Sequence, residues 1–250
     1  YESSMVLQLG DTDKAKDVID IENINTKDDE ISGVVELLRS ELLFDKALSS
    51  LNLNVSLYAR GEILTEEKYL SSSFNVQPYD LYDSTLINKE IRVTCLSDTK
   101  VQLIYEKRGK TQYLEGKINE HLKNKDFDIV VKAVSPKKFR RVSEENELFF
   151  IFNGRAELSA RLIKDLTVNP IDPNAKTISI SFRGYNAQLC HDIVQAVSNS
   201  FVSFDDEQNR RSSENTLSFI DSQLDSLSYE VRNAKDSLVE FQREAQLGDL

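Results

Sequence analysis

Two cysteines and two histidines are the side chains in this sequence best suited to nucleophilic or metal chemistry. Cys190 and His191 are neighbours, and a thiol beside an imidazole base is the pairing that produces a nucleophilic thiolate. They lie in a helix-like segment, where adjacent residues point in different directions, so the pair is poorly placed for that reaction. Cys95 and His121 stand apart, and the cysteine spacing fits neither a disulfide framework nor a metal site. We therefore predict no catalytic, cofactor or metal site, and expect both cysteines to be buried as small apolar residues.

Phosphate and carboxylate chemistry give no stronger signal. Gly109 and Gly116 lie among charged and strand-like residues, without the following helix that a phosphate-binding loop requires. Acidic residues are numerous but scattered over polar faces, and sequence spacing does not show whether folding brings two of them together. Catalysis is therefore the least supported of the functional hypotheses. The pattern of helices and strands is the more informative guide to function.

The chain is acidic, with 42 Asp and Glu against 31 Lys and Arg among 250 residues and a formal net charge of −11. This balance argues against a general nucleic-acid binder. No apolar run approaches the roughly 18 residues that cross a bilayer. The sequence begins without a Met or a signal-peptide pattern. We expect it to be part of a longer protein whose membrane anchors lie outside it.

The most informative stretch is the last quarter, from about Asn186 to Leu247, which contains neither proline nor glycine. Its apolar residues alternate at spacings of three and four over four heptads: Leu217, Ile220, Leu224, Leu227, Val231, Ala234, Leu238, Phe241 and Ala245. We call these residues the seam. Such a pattern is typical of a helix that buries one narrow stripe against another helix. A helix of this length spans roughly 90 Å, so we predict that it projects from the domain in which it begins.

Two further parts of this stretch precede the seam. The first carries a wide apolar face that is expected to pack on a sheet: Leu189, Ile193, Val194, Val197, Phe201 and Phe204. The second, Asp205 to Asn215, is polar all round, and its acid-first charge pairs at i,i+4 favour an unbroken helix. We therefore predict a base domain over residues 1–204 and a projecting helix over 205–250. The alternative is that the seam packs on its own domain's core, which usually requires a broader apolar face.

The first 204 residues predict an α+β fold with a mixed or antiparallel sheet and packed helices. A strand at Met5–Leu9, an exposed acidic connection from Asp11, and one helix from about Lys27 to Ser50 come first. The strand candidates that follow are Leu53–Leu57, Phe74–Val76, Ile91–Cys95, Val101–Tyr105, Thr111–Leu114, Asp128–Val134, Phe149–Phe152 and Thr177–Phe182, with a short helix within Ala156–Leu166. We expect Phe149–Phe152 and Thr177–Phe182 to lie in one sheet.

Basic residues are concentrated in one region of this acidic chain. From Lys100 to Arg141 there are twelve Lys or Arg against five acids. The densest point is the basic cluster, made of Lys137, Lys138, Arg140 and Arg141. A charge run is usually a solvated face, and the alternative is a contact for an acidic partner.

Several segments together resemble the Wzz-type polysaccharide co-polymerases, in particular the long Wzc- and GumC-like branch. Thr177–Asn199 reads TISISFRGYNAQLCHDIVQAVSN and is similar to that family's late strand, turn and helix. Glu214–Asp249 is similar to the helix that follows it, Glu30–Val55 to an early helix and strand, and Tyr1–Leu9 to the strand after the first transmembrane helix. The resemblance departs at two places: Tyr69–Phe74 lacks the family's proline, and Lys235 stands where an acid is usual.

The resemblance implies the periplasmic part of an inner-membrane protein, anchored by flanking transmembrane helices and controlling the chain length or export of a capsular polysaccharide or exopolysaccharide. It implies a base domain near the membrane, a homo-oligomeric ring, and contacts with the polymerase and export machinery or the growing polysaccharide. A cytoplasmic tyrosine kinase domain often follows in longer members. None of the kinase's nucleotide motifs is present here, so this segment is expected to be non-catalytic, without cofactors and without nucleic-acid partners.

Two other classes of protein stay open. A periplasmic adaptor of an efflux or secretion system also joins a β-rich domain to a helical hairpin, but glycine-marked lipoyl-like halves flanking the hairpin are not found. A cytoplasmic structural coiled-coil protein is disfavoured by the hydrophobic first helix and the many strands. The polypeptide before Tyr1 would distinguish these classes of protein. A transmembrane helix there supports the co-polymerase, whereas a lipoprotein cysteine supports the adaptor.

Overall fold

The computed structural model describes residues 1–10, 27–172 and 174–247, with backbone only for 27–30 and 242–247. The described strands are β1 (Glu2–Gln8), β2 (Val55–Arg60), β3 (Thr65–Glu67), β4 (Phe74–Leu81), β5 (Glu90–Cys95), β6 (Lys100–Lys107), β7 (Lys110–Lys117), β8 (His121–Lys123), β9 (Phe127–Ala133), β10 (Glu147–Phe152), β11 (Leu166–Asp172) and β12 (Thr177–Arg183). The described helices are α1 (Lys27–Leu38), α2 (Glu41–Leu48), α3 (Pro136–Glu145), α4 (Arg155–Leu162) and α5 (Ala187–Leu247).

The described strands form three sheets in which neighbouring strands are antiparallel. Sheet I has the order β1-β12-β11, sheet II the order β3-β2-β10-β5-β6-β7, and sheet III the order β4-β9-β8. The predicted α+β class, with antiparallel sheets and helices, is confirmed. Consecutive strands β5, β6 and β7 follow one another in sheet II, as short hairpin connections favour.

The prediction that Phe149–Phe152 and Thr177–Phe182 share a sheet is wrong. The first segment lies in β10 at the middle of sheet II, and the second is β12 of sheet I. β12 is central in its sheet because β1, from the other end of the chain, pairs along it from Glu2↔Arg183 to Gln8↔Thr177. Alternation shows that one face of a strand is buried, but it does not show which strand lies beside it.

One hydrophobic core joins sheets II and III. Its fully buried side chains come from both sheets and from α3, and include Phe74, Ile91, Leu103, Phe127, Ile129, Phe139 and Phe150. Phe139 is the buried residue of α3, and its ring stacks on Phe74 at a centroid distance of 5.3 Å. Burying a Phe side chain stabilises a fold by roughly 1.5–3 kcal/mol, so Phe139 fixes α3 firmly to the sheets.

The single helix predicted from Lys27 to Ser50 is instead two helices. Ser40 separates α1 from α2 with an extended backbone, and its Oγ accepts a hydrogen bond from the Leu43 backbone N–H at 3.3 Å. A serine that caps a new helix competes locally with continuation of the preceding one. The apolar periodicity ran through this break, which is why it was missed. The predicted connection over residues 11–26 lies outside the described residues.

The long C-terminal helix and the short helix before β11 are both confirmed. α5 runs from Ala187 to Leu247 as one element, and Asn186 caps it by accepting the Leu189 backbone N–H at 3.0 Å. No break occurs in α5 at Arg211–Ser213. In its first part Leu189, Ile193, Val194, Val197 and Phe201 are buried and Phe204 is partly buried. α4 begins one residue before the segment Ala156–Leu166, for which a short helix was predicted, and ends within it.

The chain divides into two units. Unit 1 comprises Tyr1–Gly10 and Ile24–Phe201, and unit 2 contains Val202–Leu250, of which residues 202–247 are described. All three sheets, α1 to α4 and the first part of α5 belong to unit 1, whereas the whole seam belongs to unit 2.

Candidate functional site

The seam is exposed in this chain. The exposed fraction of its large apolar side chains runs from 43% at Ile220 to 68% at Phe241, with Leu217, Leu224, Leu227, Val231 and Leu238 between these values. Ala234 is also exposed, and Ala245 lies where only the backbone is described. The expectation of a partly exposed seam in this segment is confirmed. An apolar stripe of this length on one helix is a surface for a second helix.

Three exposed apolar residues lie off the seam within its length, between Leu217 and Phe241, and were not singled out from the sequence. Phe219, Tyr229 and Val239 are 56%, 66% and 39% exposed. They fall outside the three-and-four spacing, so the heptad pattern gave no signal for them. They provide an internal comparison for the seam, because they expose similar apolar area on the same helix.

The polar stretch before the seam is stiffened by ion pairs along the helix. Arg210 binds Glu207 at 2.8 Å and Glu214 at 2.5 Å, and Arg211 binds Glu207 at 2.8 Å. The two arginines hold the pKa of the Glu207 carboxyl below its usual range, with the hydrogen bonds from Arg210 as the largest cause. Exposed pairs at i,i+3 and i,i+4 each favour the helix by a few tenths of a kcal/mol. This agrees with the predicted continuity between the two parts of α5.

The basic cluster lies on one helix, α3, which the sequence analysis did not predict. Ser135 caps it, Pro136 occupies its first turn, and Phe139 turns inward at helical spacing from Val142. These three signals were readable in the sequence but were obscured by the run of charges. Lys137, Lys138, Arg140 and Arg141 are all exposed. Arg140 binds Glu144 at 3.0 Å, which is an exposed i,i+4 pair on the same helix.

The structure separates the groups that would have to combine for thiol catalysis. Cys190 is buried with 1% of its surface exposed, whereas the neighbouring His191 is exposed. Burial raises the pKa of the Cys190 thiol, which disfavours the reactive thiolate. Cys95 is also buried and free, and burial raises its pKa too. Both cysteines therefore behave as the small buried residues that were predicted.

His121 has a partner that sequence spacing did not reveal. Its Nδ1 lies 2.8 Å from Oδ1 of Asp128, across the pairing of β8 with β9, and the ring packs against Tyr79 at 4.5 Å. The imidazole beside it holds the pKa of the Asp128 carboxyl below its usual range. His121 is exposed, and Lys123 lies 3.6 Å from the second oxygen of Asp128. This is an ion-pair cluster without an adjacent nucleophile among the described residues.

A second, largely buried ionic cluster centres on Asp126, a residue that is 7% exposed. Its carboxylate accepts hydrogen bonds from the Tyr105 hydroxyl, at 2.7 Å, and from the Lys107 ammonium. Lys107 also binds Asp83 at 2.7 Å, and Asn124 donates to the Tyr105 hydroxyl at 2.9 Å. Burial favours the protonated form of Asp126, but the hydrogen bonds from Lys107 and Tyr105 outweigh it and lower the pKa. The cluster ties β6 of sheet II to the turn before β9 of sheet III.

Acidification is expected to destabilise unit 1 below about pH 4. Lys107 beside Asp83, and His121 beside Asp128, hold the pKa of each carboxyl below 3.8, and the pKa of Asp126 is lowered as well. A carboxyl with a depressed folded-state pKa gives stability that is complete above its ordinary pKa and is lost as the pH falls through the folded value. Urea unfolding followed by near-ultraviolet circular dichroism across this range measures the effect.

Glu67 changes the stability of unit 1 with pH in the opposite direction to the three aspartates. Its effect must therefore be measured separately from theirs. Burial raises the pKa of its carboxyl above 4.5. Its contribution to stability therefore grows as the pH falls through the raised value, before the aspartates begin to protonate. A Glu67→Gln variant removes this opposing change. An unfolding midpoint in that variant that stays constant below about pH 4 would contradict the role of the aspartates.

Within the described part of the chain, no cluster of three or more His, Cys, Asp or Glu side chains is arranged to hold a metal ion. No described helix is both long enough and apolar enough to cross a membrane. Comparison with protein-family models gives no match, and comparison with curated proteins gives no match either.

Proposed function

We propose that this chain is the periplasmic, non-catalytic scaffold of a Wzz-type polysaccharide co-polymerase of the Wzc- and GumC-like branch. The full-length protein is held in the inner membrane by segments outside this chain. It assembles as a ring of identical subunits and controls the chain length or export of a capsular polysaccharide or exopolysaccharide. Its partners are its own copies, the polymerase and export machinery, and the growing polysaccharide.

The observation that carries this proposal is the exposed seam on an unbroken 61-residue helix that begins in an α+β unit. One helix cannot bury such a seam alone. A second helix from the same subunit and a helix from a neighbouring copy are the two ways to cover it, and the proposed assembly uses both. The order of the segments that resemble the family gives further support.

A ring of identical subunits requires heterologous contacts, in which one face of a subunit meets a different face of its neighbour. The seam supplies a self-associating helical surface for such an assembly. The basic region from Lys100 to Arg141 is opposite in charge to the acidic N-terminal and helical segments, which suits a second contact between neighbouring subunits. Lys137, Lys138, Arg140 and Arg141 lie together on α3, so charge reversal at all four tests whether this helix faces a neighbouring subunit.

The test is to image the full-length protein in detergent or lipid and to measure the length of the polysaccharide made by cells that lack it. We expect closed rings in the images and a changed length distribution or lost export in the cells. Images that contain only monomers or two-fold dimers would contradict the ring. An unchanged length distribution together with normal export would contradict the function.

A further inference from the structure

We propose that unit 1 carries a peripheral membrane-binding surface, formed by the basic cluster on α3 and by exposed apolar side chains at both ends of that helix. The ligand is the surface of a bilayer that contains anionic lipids. This inference rests on the contacts described below and does not depend on the proposed function.

The first component is the charged face of α3. Phe139 is fully buried, which leaves the face that bears Lys137, Lys138, Arg140 and Arg141 in solvent. Among the residues that the structure describes, three of these four side chains have no carboxylate within ion-pair distance, and Arg140 has an exposed partner on its own helix. Unpaired exposed cations on a rigid helix are free to bind lipid phosphates.

The second component lies at the start of α3. Val134 directly precedes the capping Ser135 and is 75% exposed, and its backbone N–H donates to the Ser73 carbonyl at 3.2 Å. Leu70 is 76% exposed and lines the same cavity as Val134, a mainly apolar space of about 190 Å³. Leu70 has a φ of 52°, a left-handed conformation that costs a leucine roughly 1–2 kcal/mol. The fold thus holds two apolar side chains in solvent beside the first turn of a basic helix.

The third component lies at the other end of α3. Asn146 caps the helix and packs beside Gly61. A Cβ atom added to Gly61 would lie 3.3 Å from the Oδ1 atom of Asn146. Gly61 begins the tight turn that leads to β3, and its backbone N–H donates to the Leu64 carbonyl at 2.9 Å. Ile63 and Leu64 in this turn are 92% and 75% exposed. Exposed apolar residues therefore flank the basic helix at both ends.

This combination favours a bilayer over a soluble acidic partner. Basic residues beside exposed aliphatic side chains are the features with which peripheral proteins bind the headgroup region, where cations meet phosphates and apolar groups enter the acyl boundary. An acidic protein or polymer would use the cations but would leave the four aliphatic side chains in water. The net charge of −11 on the chain disfavours non-specific adsorption to an anionic bilayer, so binding requires a local basic surface such as that of α3.

Cosedimentation of the chain with lipid vesicles tests the proposal. We expect binding to vesicles of phosphatidylcholine mixed with phosphatidylglycerol, weaker binding at higher salt, and little binding to phosphatidylcholine alone. Replacing Lys137, Lys138, Arg140 and Arg141 with glutamine should lower the partition coefficient at least about tenfold. All four side chains are exposed, so this variant should fold normally. Circular dichroism verifies its folding.

A matched control removes the same charge elsewhere in unit 1. Lys89, Arg108, Lys110 and Lys125 are exposed, and Lys89 and Arg108 lie at the ends of β5 and β6 opposite to the end at which Cys95 contacts Ser143 of α3. Changing these four to glutamine should alter the partition coefficient by no more than about twofold, because charges beyond the Debye length are screened. Equal losses in the two sets of variants would overturn the proposal.

The apolar component has its own test. The double variant Leu70→Asn and Val134→Ser keeps the charge, and asparagine tolerates a positive φ. We expect this variant to bind mixed vesicles about threefold or more weakly, and to bind soluble polyglutamate as the unmodified chain does. If the α3 variant loses polyglutamate and vesicle binding equally while the double variant keeps both, the surface takes an acidic macromolecule and the membrane proposal is overturned. Vesicle binding that does not require phosphatidylglycerol would also overturn it.

Discussion

The triple variant Leu224→Gln, Leu227→Gln and Val231→Gln is expected to reduce ring assembly of the full-length protein at least about tenfold. These side chains are more than half exposed in this chain and lie at the centre of the seam. Burying each of them against a second helix contributes roughly 1.5–3 kcal/mol, and every 1.4 kcal/mol changes an association constant tenfold. Glutamine is a good helix former, so α5 itself should persist. The fraction of closed rings among particles in detergent measures the result.

The matched control changes Phe219, Tyr229 and Val239 to glutamine. These residues expose similar apolar area on the same helix but lie off the seam. We expect the control to leave ring formation close to normal, since only the seam has the spacing for helix pairing. Rings that survive the seam variant, or that are lost equally in the control, would show that the heptad pattern does not mediate assembly.

Replacing Asp126 with alanine is expected to lower the free energy of unfolding of unit 1 by about 2–3 kcal/mol. The carboxylate is 9% exposed and accepts hydrogen bonds from Tyr105 and Lys107. Removing it leaves the Tyr105 hydroxyl without its acceptor and the Lys107 ammonium with Asp83 alone. A partly buried donor without a partner costs more than the lost bond itself. Urea unfolding at neutral pH, followed by near-ultraviolet circular dichroism, gives the change.

Two variants show whether the effect belongs to this cluster. Asp126→Asn keeps an acceptor but removes the charge, and is expected to cost about half as much. Asp98→Ala removes an exposed carboxylate from the turn between β5 and β6, and should change the free energy of unfolding by no more than about 0.5 kcal/mol. The free energy of unfolding at alkaline pH gives a further readout, because burial and Asp126 raise the pKa of Tyr105 to about 12.

The sign of that alkaline effect follows from the direction of the shift. A tyrosine whose folded pKa is raised contributes stability that is complete below its ordinary pKa of 10.0 and is lost as the pH rises towards about 12. This contribution should shrink in Asp126→Ala, because the variant removes the carboxylate that disfavours ionisation of the hydroxyl. Equal alkaline destabilisation of both proteins would mean that Asp126 does not act through Tyr105.

The sequence by itself determined the features that depend on neighbours within a few residues. The spacing of three and four, together with the absence of proline and glycine, predicted α5 and its exposed seam, and strict alternation predicted β12. The turn between β6 and β7 is local in the same sense, because it is made by Arg108 and Gly109, which both adopt a positive φ. Helical and strand periodicity are local properties, so they can be read without knowing what packs against the element.

Local sequence patterns gave wrong predictions of secondary structure where two local signals competed. Around Ser40 the apolar periodicity favoured one helix, but the capping hydrogen bond to Leu43 favoured two. In α3 the run of cations hid a capped helix that is held to the core by Phe139. The signals for α3 were present in the sequence, and the weight given to charge obscured them.

The tertiary structure decided which strands and which side chains within the chain pair with one another. β12 alternates in the same way whether it pairs with β1 or with β10, and contacts between residues far apart in the chain selected β1. His121 and Asp128, or Lys107 and Asp126, are pairs only because strands bring them together. Three of the four apolar side chains that flank α3 come from two turns well before it in the chain, and only the fold places Leu70, Ile63 and Leu64 at its ends. Periodicity specifies which face of an element is buried, whereas long-range packing specifies what that face meets, and sites built from several elements arise from the second.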